Sequence, residues 1–242
     1  MQGRTGRNAS TRHNRLLSQL SSAEYSQLSD ALELVELDFK EALCEQNRPI
    51  LHVYFVIAGV VSVVTESHED AVETATIGSE GVVGIAAFLG ARLSPHRAFM
   101  QVAGRALRIG VEELRSAAER IPRLRALLLL YTHALMSVIA QTALCNRAHS
   151  VDQRMARWLL MTHDRVDGAN FPMTQEFLSR MLGVHRPAVN LAGRKLQGAG
   201  IIRYSRGRMH ILDRRGLEGA SCSCYATVME LMLSARPPRR SR

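Results

Sequence analysis

Apolar positions along the chain recur at two different spacings, which divide it into a strand-rich part and a helical part. Residues 14–47 show helical spacing of leucines and predict short leading helices. From residue 50 the pattern changes to short β-branched and aromatic runs separated by glycines. These runs predict strands at 50–57, 60–65, 71–77, 98–102 and 106–109. Short strands at this spacing indicate an antiparallel roll, of the jelly-roll kind, or a barrel.

The segment after Pro122 contains neither Gly nor Pro until Gly168, and it predicts a long helix. A stripe along it repeats at alternating steps of four and three residues: Leu124, Leu128, Tyr131, Leu135, Val138 and Thr142, with Cys145 next. Two parallel helices pack through such a heptad stripe, so we predict a dimerisation helix over residues 122–148. The alternative is one helix buried against its own domain.

A membrane span is a second alternative for this helix, since residues 126–145 carry no formal charge and are long enough to cross a bilayer. His133 and Gln141 lower its hydropathy, and arginines on both flanks give no orientation bias. We therefore expect no membrane contact.

Residues 171–196 predict two short helices joined by a glycine turn. Thr174 is a suitable N-cap for the first helix, and Gly183 permits the left-handed conformation that ends it. His185 or Arg186 begins the second helix, with Pro187 in its first turn, where the missing N–H costs nothing. The polar positions left outside are Arg186, Asn190, Arg194 and Lys195. Such a helix presents donors to base edges and phosphates, which predicts a DNA-binding helix-turn-helix.

A hairpin follows this helix pair, with apolar strands around residues 201–204 and 209–212. Arg206 and Arg208 lie at its tip, where they are placed to contact the DNA backbone. Helix pair and hairpin together predict a winged helix. The alternative is an αα-hairpin in a core with a solvated arginine face.

The distribution of charge supports nucleic-acid binding. Residues 1–149 hold 15 basic and 15 acidic side chains, whereas residues 150–242 hold 16 basic against 7 acidic, so the last third carries the whole net charge of +9. Arginine supplies nearly all of the excess, and its planar fork suits phosphates and guanine edges.

These motifs resemble the Crp/Fnr family of bacterial transcription regulators over nearly the whole chain. The strand at 54–61, the long helix and the winged helix carry the resemblance, and so do Arg186-Pro187 and the stretch at 220–225. The resemblance implies an α+β fold: a cyclic-nucleotide-binding-like roll at 14–121, the dimerisation helix at 122–148 and a winged helix at 149–242. Residues 1–13 are expected to be a disordered basic tail. It also implies a cytoplasmic homodimer that binds a palindromic DNA operator and RNA polymerase, not an enzyme.

The sequence departs from the family at the nucleotide site and at two base-reading positions, where many relatives have a Glu and an Arg and this chain has Pro187 and Leu191. Relatives that bind cyclic nucleotide have Gly-Glu and Arg-Ser or Arg-Thr; here Gly84 precedes Ile85, and the second pair corresponds to His96-Arg97. An apolar residue cannot accept a hydrogen bond from ribose, so we expect a degenerate effector site without cyclic AMP. The effector, if any, is unknown. A ligand-sensing module without DNA readout and a membrane-tethered regulator stay open as alternatives.

Four cysteines in a chain of this length do not predict a disulfide framework. Cys222-x-Cys224 has the spacing of a metal or redox pair, but no second closely spaced Cys or His pair accompanies it. We therefore expect no metal and no cofactor, and we interpret the pair as structural or solvent-facing. Nucleophile-elbow, phosphate-loop and zinc-protease motifs are also absent from the sequence.

Overall fold

The computed structural model describes residues 14–68 and 70–234, so the predicted basic tail at 1–13 lies outside the described residues. A short 3₁₀ turn at Leu17–Gln19 leads into helix α1, Ser22–Ser29. The roll and the long helix follow: β1 Glu33–Leu37, β2 Ala42–Cys44, β3 His52–Glu66, β4 Ala71–Ile77, β5 Val82–Val83, α2 Ile85–Phe88, β6 Arg97–Gly110, α3 Val111–Arg120 and α4 Pro122–Ala148. The remainder comprises α5 Val151–His163, β7 Asn170–Pro172, α6 Gln175–Leu182, α7 Arg186–Gly198, β8 Ile202–Ser205, β9 Arg208–Ile211, α8 Arg214–Ala220 and α9 Cys224–Ser234.

The antiparallel roll is built on two long strands, β3 and β6, which pair with each other. The sequence predicted each as two strands separated at a glycine, and this was wrong. Gly59 and Gly104 lie inside the long strands, where the pairing register shifts and the backbones approach closely. A Cβ on Gly104 would lie 2.0 Å from the Ala58 carbonyl oxygen. Here glycine permits a bulge and not a turn.

Helical spacing over residues 14–47 was a misleading signal in its second half. Only α1 and the preceding 3₁₀ turn are helical there, and residues 33–37 form β1. This strand pairs antiparallel with β6, from Glu33 opposite Arg108 to Leu37 opposite Gly104. Pairing with an existing sheet edge overrides the weak local preference of the leucines.

Helix α4 packs one face into the core of the roll. Leu124, Leu127, Leu128 and Tyr131 are buried there, and the Tyr131 hydroxyl donates a hydrogen bond to the Val82 carbonyl at 2.9 Å. By length and composition α4 is also long and apolar enough to cross a membrane, the one such helix in the described part of the chain. The packing of α4 against the roll does not depend on its being long and apolar enough to cross a membrane.

Helix α5 connects the two halves of the molecule and is buried on nearly all sides from Arg154 to Thr162. Trp158 donates to the Glu73 carboxylate of the roll at 2.7 Å, and Gln101 of the roll donates to Thr162 at 2.9 Å. Burial raises the pKa of Glu73, against the effect of the hydroxyl and indole donors that point at it. The two halves are therefore joined by a buried polar network.

An ion pair between Glu80 of the roll and Arg165, just after α5, reinforces this interface. Their charged atoms lie 2.7 Å apart and both side chains are buried. Burial disfavours the Glu80 carboxylate, but Arg165 and backbone N–H donors outweigh that cost and lower the pKa of Glu80. A buried pair of this kind strongly penalises the loss of either partner.

Candidate nucleic-acid interface

The helix pair α6–α7 forms as its local sequence signals predict. The Thr174 hydroxyl accepts a hydrogen bond from the Phe177 N–H at 3.1 Å and caps α6. Gly183 ends that helix with φ +60°, in the left-handed region. His185 is the N-cap of α7, and Pro187 lies in its first turn. Val189, Ala192 and Leu196 are buried, which fixes the face that α7 turns outward.

That outward face carries most of the side chains predicted to read DNA. Arg186, Pro187 and Arg194 are exposed, and Leu191, beside them, is 58% exposed. Neither arginine forms an ion pair with the described residues. Unpaired guanidinium groups beside a helix N-terminus, whose N–H groups are also unsatisfied, attract phosphates and guanine edges.

Asn190 and Lys195 are less free than the sequence suggested. The Asn190 amide oxygen is buried without a hydrogen-bond partner in the described structure, and its side chain lines a cavity of about 260 Å³ between α7, α6 and the hairpin. Lys195 forms an ion pair with Asp152 of α5 at 3.1 Å. In this conformation both side chains are partly turned from the open face.

The hairpin β8–β9 joins its strands through a two-residue turn at Arg206-Gly207. Both residues have positive φ, +49° and +73°, as a type I′ turn requires. Arg206 and Arg208 are exposed at the tip. A third strand, β7, was not predicted from the sequence. It pairs with β9 and brings Met173 against the turn, where the Met173 N–H donates to the Gly207 carbonyl.

The residues predicted to form the dimer seam lie mainly against their own chain. Leu124, Leu128, Tyr131, Val138 and Thr142 are all buried, and Leu135 is partly buried. These side chains are therefore covered by their own chain, as the alternative of a helix buried against its own domain expects, and they leave little surface for a second subunit. Their heptad spacing reflects packing on the roll and on α9.

A second stripe of α4 remains open. Leu129 is 46% exposed, Met136 is 66% exposed and Leu144 is 55% exposed. His133 and Ala140 are also exposed and continue the stripe at steps of four and three.

The predicted effector residues do not form one site. A Cβ on Gly84 would contact Val53 and His52 at the start of β3, whereas Arg97 pairs in register with Val64 near the end of that strand. Val53 and Val64 are 11 positions apart along β3, and the pairing register of the strand shifts three times between them.

The side chains of the other three residues, Ile85, His96 and Arg97, are packed or contact other groups. Ile85 is buried, and the His96 ring lies 3.1 Å from the Thr65 hydroxyl. Arg97 lies within 3.6 Å of carboxylates of Glu45 and Glu66.

Of the two roles expected for Cys222 and Cys224, structural or solvent-facing, the solvent-facing one is wrong because both are buried. Together with Cys145 they form a small cluster that His149 adjoins. The 77 residues between Cys145 and Cys222 hide this proximity in the sequence.

Known proteins share both the domain and the fold. Residues 153–220 match the Crp-like helix-turn-helix domain. A putative Crp/Fnr-family transcriptional regulator from Eubacterium rectale is 17% identical with a TM-score of 0.69, and the similarity covers 86% of this chain and 98% of that one. FixK2 from Bradyrhizobium japonicum is 16% identical with a TM-score of 0.67, over 79% of this chain and 98% of that one.

The c-di-GMP-responsive global regulator CLP from Xanthomonas campestris is 16% identical with a TM-score of 0.63, over 79% of this chain and 99% of that one. No curated protein sequence matches the chain significantly. The chain therefore has the fold of the Crp/Fnr transcription regulators and carries the helix-turn-helix domain of that family at residues 153–220.

Proposed function

We propose that the chain is a homodimeric transcription regulator that binds a palindromic DNA operator in the cytoplasm through α7 and the β8–β9 hairpin. The observation that carries the proposal is the outward face of α7, where Arg186 at the first helical position and Arg194 two turns further along are both exposed and form no ion pair with described residues. Recognition helices enter the major groove with their N-terminal residues against base edges.

The division of roles follows from position. Arg186 stands at the first position of α7 and discriminates bases, while Arg206 and Arg208 at the hairpin tip bind phosphates. Asn190 contributes to base reading only if its buried amide oxygen turns outward, so the exposed Arg194 is the stronger second candidate.

A second copy of the chain pairs with the open stripe of α4, defined by Leu129, His133, Met136, Ala140 and Leu144. Helix α4 has 27 residues and is therefore about 40 Å long. Leu129 and Met136 are one heptad apart, as two parallel helices require, and Leu144 follows eight residues later, one position past the next heptad. Dimer symmetry then places two copies of α7 in half-sites roughly 34 Å apart.

Two measurements test the proposal. Selection of DNA from random fragments with the purified chain is expected to yield an inverted repeat, and cyclic AMP is expected not to change that yield. Enrichment without symmetry, or no enrichment, would contradict the proposed DNA readout.

The oligomeric state is tested with Met136→Glu, which places a charge in the open stripe. We expect the mass in light scattering to fall from dimer to monomer. Leu51→Glu alters a leucine of the roll that is 69% exposed and serves as the matched control. A dimer that persists in Met136→Glu would contradict this stripe as the seam.

A further inference from the structure

Four side chains with metal-ligand chemistry meet where α4 ends and α9 begins. Cys145 lies in the last turn of α4, and His149 is its C-cap residue, four positions later and on the same face. Cys222 and Cys224 flank the start of α9. The three sulfurs and one imidazole nitrogen all lie within 4.8 Å of one another.

Two of the separations are close to those of ligands around a single metal ion. Cys145 Sγ lies 3.5 Å from Cys222 Sγ, and Cys224 Sγ lies 3.5 Å from His149 Nδ1. A tetrahedral zinc ion with the usual metal–sulfur and metal–nitrogen distances holds sulfurs ~3.8 Å apart and a sulfur ~3.5 Å from a nitrogen. A disulfide would instead require about 2.05 Å between sulfurs.

Hydrogen-bond donors point at two of the three sulfurs. The Gln141 amide donates to Cys224 Sγ at 3.1 Å, and the Cys222 sulfur accepts from the Cys224 backbone N–H. Donors of this kind orient metal-bound sulfurs. All three cysteines are buried, so the ligands are shielded from water.

Two arginines supply an independent observation. Arg154 and Arg157 of α5 are buried, each has an Nε without a partner, and neither forms an ion pair with a described carboxylate. Arg157 interacts electrostatically with the buried Glu73 carboxylate, and both arginines interact with Cys145. Buried cations require compensating negative charge. Three thiolates and a neutral imidazole around a divalent cation carry one net negative charge, which would add to that of Glu73 and balance the second arginine.

We propose that Cys145, His149, Cys222 and Cys224 bind one Zn²⁺ in a closed tetrahedral site. Three thiolates with one imidazole suit this borderline-soft ion, and four protein ligands with no open position make the site structural. On binding, each thiol releases its proton to solvent and its sulfur lone pair forms the bond to zinc, so no electron is transferred.

The site would tie the end of α4 to the α8–α9 segment across the junction at Ser150. The chain between Cys145 and Cys222 contains both helices of the helix-turn-helix. Because zinc binds the folded arrangement and not the unfolded chain, its occupancy would stabilise the orientation of these elements.

Zinc content of the full chain, purified under reducing conditions, tests the proposal. We expect about one zinc per chain, lost in Cys222→Ser/Cys224→Ser and retained in Cys44→Ser, which alters the remaining cysteine. Absence of bound zinc in the unaltered chain after zinc is supplied would overturn the site, and so would equal loss in Cys44→Ser. A Cys145–Cys222 disulfide as the stable form in the presence of zinc would also overturn it.

Cobalt substitution keeps the test decisive if the serine variant fails to fold. Co²⁺ added to the zinc-free, unaltered chain should give the intense visible bands of a tetrahedral ion and near-ultraviolet sulfur-to-cobalt bands. His149→Cys should retain the ion and strengthen the sulfur-to-cobalt bands, since it adds a fourth thiolate. Weak octahedral bands, or a spectrum unchanged by His149→Cys, would overturn the ligand set. Neither readout depends on DNA binding.

Discussion

Arginines of the C-terminal half occupy two contrasting environments. At the α7 face and the hairpin tip, Arg186 and Arg206 are exposed and form no ion pair with described residues. Around α5, Arg165 is buried against Glu80, and Arg154 and Arg157 are buried beside the cysteine cluster. The same excess of positive charge therefore has two roles, and burial separates the residues available to DNA from those that hold the two halves together.

The largest expected effect, on the free energy of unfolding, comes from replacing a buried arginine. Arg165→Met leaves the Glu80 carboxylate buried without its partner, and we expect the free energy of unfolding to fall by about 3–5 kcal/mol. Denaturant unfolding measures this change in free energy. The control is Arg105→Ala, which alters an exposed arginine of the roll. A loss as small as that of the control would remove the distinction between the two environments.

The pH dependence of the same variant sharpens the result. The folded chain lowers the pKa of Glu80, so its ion pair stabilises the fold above the unfolded-state pKa of about 4.3 and loses that contribution as the pH falls through the lowered value. The stability difference between the unaltered chain and Arg165→Met should therefore shrink below about pH 4. A constant difference would assign the effect to lost packing.

Arg186→Ala is expected to have the next largest effect, on DNA and not on stability. Loss of a base contact should cost about 1–3 kcal/mol on the selected operator and relax the preference at one position of each half-site. Competition binding with single-base variants of the operator measures both. A uniform loss on all sequences would move Arg186 to the phosphate-binding group.

Arg206→Ala should give a smaller and sequence-independent loss. Removing one phosphate contact is expected to reduce the slope of log affinity against log salt by about 1. Titrations at several salt concentrations, on operator and unrelated DNA, measure this slope. An unchanged slope would place the hairpin tip away from the DNA backbone.

Lys195→Ala should give the smallest effect of the series. Its ion pair with Asp152 is partly exposed, and such pairs contribute about 0–1 kcal/mol to stability. We expect a similarly small change in DNA affinity because the ammonium group is already paired. A loss in DNA affinity as large as that of Arg186→Ala would show that Lys195 leaves Asp152 when DNA binds.

The parts of the fold that were predicted correctly are those whose signals act within a few residues of the chain. The Thr174 cap, the Gly183 turn and Pro187 each determine a backbone conformation within a few residues, and the helix pair formed as predicted. Gly59 and Gly104 misled the strand prediction because the same residue type serves turns and bulges, and only the partner strand decides between them. Distant pairing is also why β1 was mistaken for helix.

The remaining errors arose because the sequence pattern does not show which residues or chains contact each other. A heptad stripe records that one face of α4 is buried, but not whether its own chain or a second chain covers it. The effector residues were grouped by resemblance, and the roll separates Gly84 from Arg97 along β3. Conversely, the cysteine–histidine cluster unites residues from two distant segments, which no local spacing reveals.

The burial of α5 limits where the chain can be cut to obtain a stable fragment. Trp158 and Thr162 face the roll, while Met155 and Leu159 belong to the core of the helix-turn-helix half. A fragment beginning at residue 151 would expose the indole and the polar groups that the roll now satisfies. The winged helix isolated in this way should therefore aggregate more readily than the full chain, and dissection of the activity is better attempted by substitution than by truncation.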